Sequence, residues 1–135
     1  MYIKKTRPES FHLTASNIIK KKLAALLETN DRINVALAGG STPIPILNLL
    51  AKENLGWDKI SFYQTDERIV NVDDNSNNFR NLSEAFFAHI GSNTYPMFTG
   101  EKSAENACEN YINELKKLDQ KEGFPIFDLI ILGMG

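Results

Sequence analysis

The strongest constraint on the fold of this chain is a set of short apolar runs that alternate with segments of helical spacing. Residues 33–38 and 127–132 are mainly apolar, and Ile60–Gln64 has the length and composition of a third strand. Such runs are typical of strands that are buried on both faces of a parallel sheet. Successive parallel strands need a crossover connection, usually a helix, to bring the chain back across the sheet.

Several segments between these runs are predicted to be helical. In residues 10–28, 79–90 and 103–118, apolar side chains recur at steps of three and four, and a further helix is expected over Ile44–Leu50. A weaker extended piece is expected at residues 95–98. The alternation predicts an α/β fold, with a mainly parallel, Rossmann-like sheet that carries helices on both faces. We expect residues 1–135 to form a single domain.

The end of the chain departs from this pattern. Residues 127–132 form a predicted strand that is apolar on both faces, and only Gly133, Met134 and Gly135 follow it. The helix expected to cover such a strand is missing. We therefore expect the fold to be incomplete at its C-terminus, or to be covered there by a partner. In the absence of another partner, we expect self-association through the uncovered strand.

Composition narrows the classes of partner. The chain has 15 Lys and Arg against 17 Asp and Glu and lacks a basic stripe with interleaved aromatics, so no nucleic-acid partner is expected. No stretch approaches the ~20 apolar residues of a membrane span, and the N-terminus does not resemble a signal peptide. We expect a soluble, cytoplasmic protein with no membrane partner. The single cysteine, Cys108, is interpreted as a small buried apolar residue.

Two segments that follow predicted strands contain residues suited to ligand binding. The first contains Gly39, Gly40, Ser41 and Thr42, directly before Pro43. Glycines let the backbone approach an anion, and hydroxyl groups add donors where a helix begins. The segment therefore predicts a phosphate-binding loop. The alternative is an ordinary turn in which a hydroxyl group caps the next helix.

The second segment contains Asp66, Glu67 and Arg68. Only Thr65 separates it from the end of the predicted strand Ile60–Gln64. In extended backbone, Asp66 and Arg68 would point to one side of the strand and Glu67 to the other. The guanidinium group could then hold an anionic substrate through two hydrogen bonds, while the carboxylate orients a hydroxyl group or a water molecule. The alternative is an ion pair at the rim of the sheet.

Neither histidine is an evident catalytic base. His12 lies in the first turn of a predicted helix and His89 near the end of another, where surface roles are expected. Hydrolysis of an ester near neutral pH needs a base that activates water. Asp66 is then the only candidate base in the chain.

Four segments together resemble the 6-phosphogluconolactonase family. They are Ala-Gly-Gly-Ser-Thr-Pro at residues 38–43, Thr-Asp-Glu-Arg-Ile-Val at residues 65–70, Ser76-Asn77, and Phe-Asp-Leu-Ile-Ile-Leu-Gly-Met-Gly at residues 127–135. Their order and spacing are similar to those of the family over nearly the whole chain. The resemblance implies the fold shared by glucosamine-6-phosphate deaminases, ribose-5-phosphate isomerases and CoA transferases.

The resemblance also implies a reaction, the hydrolysis of 6-phosphogluconolactone to 6-phosphogluconate in the pentose phosphate pathway. The expected partner is a small sugar phosphate, and neither a metal nor an organic cofactor is implied. The loop at residues 39–42 would help to bind the sugar phosphate. Asp66 would lie beside the reacting end of the sugar, and Arg68 would contact the substrate, so these two side chains are the implied catalytic residues.

The chain departs from the family pattern at two places. The family usually has Pro after its Asp-Glu-Arg-x-Val stretch, where this chain has Asn71. The family also continues its Gly-Met-Gly with an Asp-Gly-His-Thr segment, whose His is taken to be the base that activates water, whereas this chain ends at Gly135. We therefore expect the 135-residue chain to be inactive by itself.

Two alternatives remain open at this point. A glucosamine-6-phosphate deaminase belongs to the same superfamily, but it would be expected to carry Asp-Glu-Tyr where this chain has Asp-Glu-Arg at residues 66–68. The second alternative, from another functional class, is a sugar-phosphate binding module without catalytic activity.

Overall fold

The structure is a computed structural model that describes residues 3–133. Its helices are α1 (Phe11–Thr29), α2 (Ile44–Leu50), α3 (Asn78–Ala85) and α4 (Ala104–Leu115). Its strands are β1 (Ile33–Leu37), β2 (Ile60–Gln64), β3 (Asn93–Tyr95), β4 (Gln120–Lys121), β5 (Phe124–Pro125) and β6 (Leu129–Ile131). Short 3-10 turns lie at Pro8–Ser10, Trp57–Lys59 and Phe87–His89.

The main sheet is parallel, with the strand order β3-β2-β1-β6. In its register, Leu37 of β1 lies opposite both Gln64 of β2 and Ile131 of β6. The strands therefore end at one common edge, where the segments that follow β1 and β2 are neighbours. This confirms the parallel α/β arrangement that the alternating pattern predicts.

The main core lies between one face of the sheet and the helices α1, α2 and α3. Its fully or almost fully buried side chains include Leu23, Val35, Leu37, Leu47, Leu50, Phe62, Leu82 and Phe86. The ring of Phe86 meets those of Trp57 and Phe62 edge to face, with ring centroids 5.4 Å apart in both pairs. Such contacts stabilise aromatic pairs beyond the burial of apolar area.

Helix α4 covers part of the opposite face. Its buried Tyr111 donates a hydrogen bond from its hydroxyl group to the backbone oxygen of Gln64, at 2.7 Å. On the same face the ring of Tyr63 stacks on that of Tyr95, with ring centroids 4.6 Å apart. At the β6 edge the cover ends, and the side chain of Ile130 is 54% exposed. Helices thus lie on both faces, but β6 keeps one partly open face.

Several predicted elements are shorter than expected. The helix expected over residues 79–90 ends at Ala85, because the backbone of Phe86 leaves the helical conformation (φ −143°) and a separate 3-10 turn follows. The extended piece predicted at residues 95–98 lies instead at Asn93–Tyr95, where it pairs with β2 before Pro96. The strand expected over residues 127–132 pairs only over Leu129–Ile131.

Two further features differ from the expectations. Cys108 is exposed, so its interpretation as a buried residue was wrong. Helix α4 turns Ala107 and Tyr111 inward. Cys108, the residue after Ala107, falls outside this narrow buried face. The hairpin of β4 and β5 was not anticipated; positive φ angles at Glu122 and Gly123 form its tight turn.

No helix among residues 3–133 has both the length and the apolar composition needed to cross a membrane.

The buried aromatic contacts generate a test of the core. Replacement of Phe86, which is 0% exposed, by Ala should lower the free energy of unfolding by about 3–5 kcal/mol, because it removes a large side chain and leaves a cavity. Phe124→Ala is the matched control: its ring is 73% exposed, and the expected change is below about 0.5 kcal/mol. Urea unfolding followed by circular dichroism measures both. Similar losses for the two variants would contradict this core.

Candidate active site

The carboxyl edge of the sheet brings the two predicted ligand-binding segments together. The backbone N–H of Thr65 donates to the oxygen of Leu37 at 3.2 Å, and that of Ala38 donates to the oxygen of Ile131 at 3.0 Å. These bonds extend the sheet slightly past the ends of β1 and β2. The segments at residues 38–43 and 65–68 therefore begin side by side, as their parallel register predicts.

Asp66 and Arg68 meet through a third residue, Asn78, which is 0% exposed. The Asn78 Oδ1 atom accepts a hydrogen bond from Arg68 Nη1 at 2.6 Å, and Asn78 Nδ2 donates to Asp66 Oδ2 at 3.0 Å. Arg68 Nη1 also donates to the backbone oxygen of Ser76 at 3.2 Å. No direct ion pair joins Asp66 and Arg68 within residues 3–133. A buried amide, rather than mutual attraction, thus places the carboxylate and the guanidinium group.

Gly39 makes this position of Asn78 possible. A Cβ atom added at Gly39 would lie 2.2 Å from Cγ and 2.5 Å from Oδ1 of Asn78. Such separations are far shorter than any van der Waals contact, so only glycine leaves room for the amide. The glycine of the predicted phosphate-binding loop therefore has a packing role beneath the site.

Glu67 anchors the start of α3. Its Oε1 atom accepts from the backbone N–H groups of Arg68 and Asn78, both at 2.7 Å. Its Oε2 atom accepts from the backbone N–H of Phe79 at 2.7 Å and from Gln64 Nε2 at 2.8 Å. A carboxylate at this position also interacts favourably with the helix dipole. Glu67 thereby fixes where Asn78 lies relative to β2.

The buried side chain of Gln64 links the site to the second face of the sheet. Its Oε1 atom accepts from the backbone N–H of Met97 at 2.7 Å, and its backbone oxygen accepts from the hydroxyl group of Tyr111. Burial raises the pKa of Tyr111, and it raises the pKa of Tyr63 to about 12. Both hydroxyl groups therefore stay protonated at neutral pH, and that of Tyr111 remains a donor.

An open cavity of about 650 Å³ lies in front of this network. It is lined by Gly40, Ser41 and Arg68, together with Ser76 and other residues from α2 and α3. Gly40 has φ +93°, a conformation that favours glycine, and a Cβ atom there would meet nothing within 4 Å. The backbone at Gly40 is thus accessible to a ligand that Arg68 could also reach.

Ser41 and Thr42 do not cap α2. The N-cap position of that helix is Pro43, and no side-chain hydrogen bond caps it. The alternative interpretation as an ordinary capped turn is therefore wrong in this respect. Thr42 faces a different, mainly apolar cavity of about 280 Å³, which Pro43 and Ile131 also line. Only Gly40, Ser41 and Arg68 of the predicted site residues line the same cavity, while Gly39 lies beneath it.

A second polar cavity, of about 550 Å³, lies between β3 and α4. It is lined by Glu101 and Glu114 and by no lysine or arginine. Carboxylates without a compensating cation repel a phosphate group. This cavity is therefore the less suitable one for an anionic sugar.

The two histidines lie away from the site. His12 is exposed in the first turn of α1, and His89 is exposed, with its Nε2 atom 3.0 Å from the backbone oxygen of Glu84. Neither lines the cavity that contains Arg68. In the described part of the chain, no group of three or more His, Cys, Asp or Glu side chains is placed to hold a metal ion.

Comparison with known proteins identifies the family. The family model described as glucosamine-6-phosphate isomerases/6-phosphogluconolactonase matches residues 6–135. The chain belongs to this family. The relationship that the four sequence segments indicate is thereby confirmed, although Met134 and Gly135 of the last segment lie outside the described residues.

Among the curated relatives, the 6-phosphogluconolactonase of Thermotoga maritima is 40% identical over 119 residues, which are 87% of this chain and 52% of that protein. That of Synechocystis is 40% identical over 106 residues, or 75% of this chain and 44% of the relative. The chain thus spans about half the length of these members of the glucosamine-6-phosphate isomerase/6-phosphogluconolactonase family.

Solved structures of the family confirm the fold. The crystal structure of 6-phosphogluconolactonase from Thermotoga maritima has a TM-score of 0.86 at 36% identity, over 99% of this chain and 59% of that one. A monomeric glucosamine-6-phosphate deaminase has a TM-score of 0.70 at 20% identity, over 85% of this chain and 49% of that one, which shows a shared fold alone.

Sequence reasoning missed Asn78 and the anchoring role of Glu67. The resemblance included Ser76 and Asn77, whereas the amide between Asp66 and Arg68 belongs to the next residue. One local signal was available: asparagines before a helical segment favour the N-cap, and Asn77 does cap α3 through Arg80 N at 2.8 Å. That signal does not reveal which side chain turns toward β2.

The contact between Gly39 and Asn78 generates the second prediction. Gly39→Ala should lower the free energy of unfolding by about 1–3 kcal/mol, because the new methyl group displaces a buried amide from its hydrogen bonds. Gly91→Ala is the control, since a Cβ atom at Gly91 meets nothing within 4 Å and its φ is not in the left-handed region. Urea unfolding compares the two variants. Equal stability would show that Asn78 does not occupy this position.

Proposed function

We propose that this chain contributes the Asp66 and Arg68 half of a 6-phosphogluconolactonase active site, in a protein that hydrolyses 6-phosphogluconolactone to 6-phosphogluconate. The observation that carries the proposal is the arrangement of a carboxylate and a guanidinium group on one buried amide, with the guanidinium group of Arg68 at an open cavity that Asp66 itself does not line. Membership of the family and the similarity to curated 6-phosphogluconolactonases support it. The substrate class is then a small sugar phosphate.

In this proposal Arg68 and the loop of Gly39, Gly40, Ser41 and Thr42 bind the phosphorylated substrate. Arg68 supplies positive charge at the cavity, Gly40 lets the ligand approach the backbone, and the exposed hydroxyl group of Ser41 adds a donor. Gly39 supports the loop from below through its contact with Asn78. The contribution of Thr42 is indirect, since its side chain faces another cavity.

Asp66 is proposed to orient the reacting end of the sugar. Its Oδ1 atom accepts from Thr65 Oγ1 at 3.1 Å, and its Oδ2 atom accepts from Asn78. A carboxylate held on both oxygens suits orientation better than proton transfer. In the reaction, the oxygen of water bonds to the lactone carbonyl carbon, the ring ester bond breaks, and the leaving oxygen gains the proton that the water gives up. We propose that the base for this proton lies outside residues 3–133.

The role of Arg68 gives the third prediction. In a full-length protein that contains this chain, Arg68→Ala should raise KM for 6-phosphogluconolactone by at least about tenfold, since a charge-assisted hydrogen bond is worth about 1.5–3 kcal/mol. The free energy of unfolding should fall by about 1–3 kcal/mol, because no core opens but the buried Oδ1 atom of Asn78 loses its donor. Steady-state kinetics and urea unfolding provide the two measurements.

Arg32→Ala is the matched control for charge. Arg32 is exposed and directly precedes β1, at the opposite end of the strand from the site. Its replacement should leave KM unchanged. An unchanged KM for Arg68→Ala, or an equal rise for both variants, would reject the proposed binding role of Arg68.

The fourth prediction concerns the activity and association of residues 1–135 by themselves. Purified residues 1–135 should not accelerate lactone hydrolysis above the spontaneous rate, because neither His12 nor His89 lines the cavity with Arg68. Light scattering in the same samples should show association as concentration rises, since Ile130 and Leu132 are 54% and 68% exposed. Full turnover by a stable monomer would overturn both parts.

Release of ammonia from glucosamine 6-phosphate by a full-length protein would instead favour a deaminase.

A further inference from the structure

Arg68 is anchored through only one of its terminal nitrogens. Nη1 donates both to Asn78 Oδ1, at 2.6 Å, and to the backbone oxygen of Ser76, at 3.2 Å. Within residues 3–133, the Nε and Nη2 atoms of Arg68 donate no hydrogen bond. Because the guanidinium group is planar, fixing Nη1 also restricts where the other donors point.

The anchor itself is rigid. Asn78 is 0% exposed, its backbone N–H donates to Glu67 Oε1, and its Nδ2 atom donates to both the side chain and the backbone oxygen of Asp66. The amide cannot turn over without placing Oδ1 against the Asp66 carboxylate and Nδ2 against the guanidinium group. The Nδ2 end of the amide therefore matches the acceptor, Asp66, and the Oδ1 end matches the donor, Arg68.

We propose that Asn78 is a positioning residue that holds the Arg68 guanidinium in its ligand-binding orientation and keeps the Asp66 carboxylate at a set place beside it. This inference rests on the proposed function. An unanchored arginine would lose much rotamer freedom when a ligand binds, whereas an anchored one has lost that freedom already. Asn78 thus favours substrate binding without touching the substrate.

A double-mutant cycle distinguishes positioning from simple structural support. In the full-length protein, Arg68→Ala and Asn78→Ala should each raise KM for 6-phosphogluconolactone by at least about tenfold, and the double variant should exceed Arg68→Ala by less than about threefold. The effects are not additive because Asn78 acts on KM through Arg68. Circular dichroism at the assay temperature verifies that each variant is folded.

The conservative variant Asn78→Asp provides a second arm, which also serves if the alanine variant does not fold. Its side chain keeps an acceptor for Arg68 but turns a carboxylate toward Asp66. KM should therefore stay within about threefold of the unchanged protein, while kcat falls by at least about tenfold, because like charges repel at this separation. A rise in KM as large as that of Arg68→Ala would overturn the proposed anchor.

The outcomes separate this inference from the function on which it rests. If Arg68→Ala leaves KM unchanged, the proposed binding role of Arg68 fails, and the role of Asn78 fails with it. If Arg68→Ala raises KM but the two alanine effects simply multiply, the binding role of Arg68 stands and the positioning role of Asn78 is rejected. Non-additive effects together with a preserved KM in Asn78→Asp support the proposal.

Discussion

The geometry of the site depends on the contact between the Glu67 carboxylate and the start of α3. Four donors, three from the backbone and one from Gln64, meet its two oxygens at 2.7–2.8 Å. Because Glu67 lies three residues beyond the end of β2 and α3 lies across a long polar loop, this contact closes the loop at a defined place. Charge-assisted hydrogen bonds are shorter and stronger than neutral ones, so one carboxylate can replace a longer set of loop contacts. Asn78 reaches Asp66 and Arg68 as a consequence.

The second requirement is the absence of a side chain on the neighbouring strand end. The register that places Leu37 opposite Gln64 also brings Gly39 against the Asn78 amide, where a Cβ atom would overlap it. A buried amide is favourable only when its polar atoms are paired, and both polar atoms of Asn78 are. Packing at Gly39 and hydrogen bonding at Asn78 are therefore one feature of the structure, contributed by the segment that follows β1 and by the start of α3.

Much of this arrangement could be predicted from the sequence, and the part that could not has a physical reason. The apolar runs at residues 33–38 and Ile60–Gln64, with helical spacing between them, were sufficient for the parallel arrangement of these strands, because continuous apolar runs and helical periodicity can be recognised in a sequence. The direction of individual side chains is not periodic. Thr42 faces away from Ser41, and Cys108 is exposed, because tertiary packing decides which narrow face of a turn or helix is covered. Asn78 could not be assigned, since its partners are ten and twelve residues away.

The hydrogen bonds at the start of α3 also limit where an anion can bind. The first three backbone N–H groups of the helix are already paired: those of Asn78 and Phe79 with Glu67, and that of Arg80 with Asn77 Oδ1. A helix N-terminus binds phosphate only through free N–H groups, and the Glu67 carboxylate already occupies this one. A phosphorylated ligand at the cavity must therefore be held by side-chain charge and by the loop at Gly40 and Ser41. In the proposed site, the strength of binding then depends on how firmly Arg68 is oriented, which is the role proposed for the buried amide of Asn78.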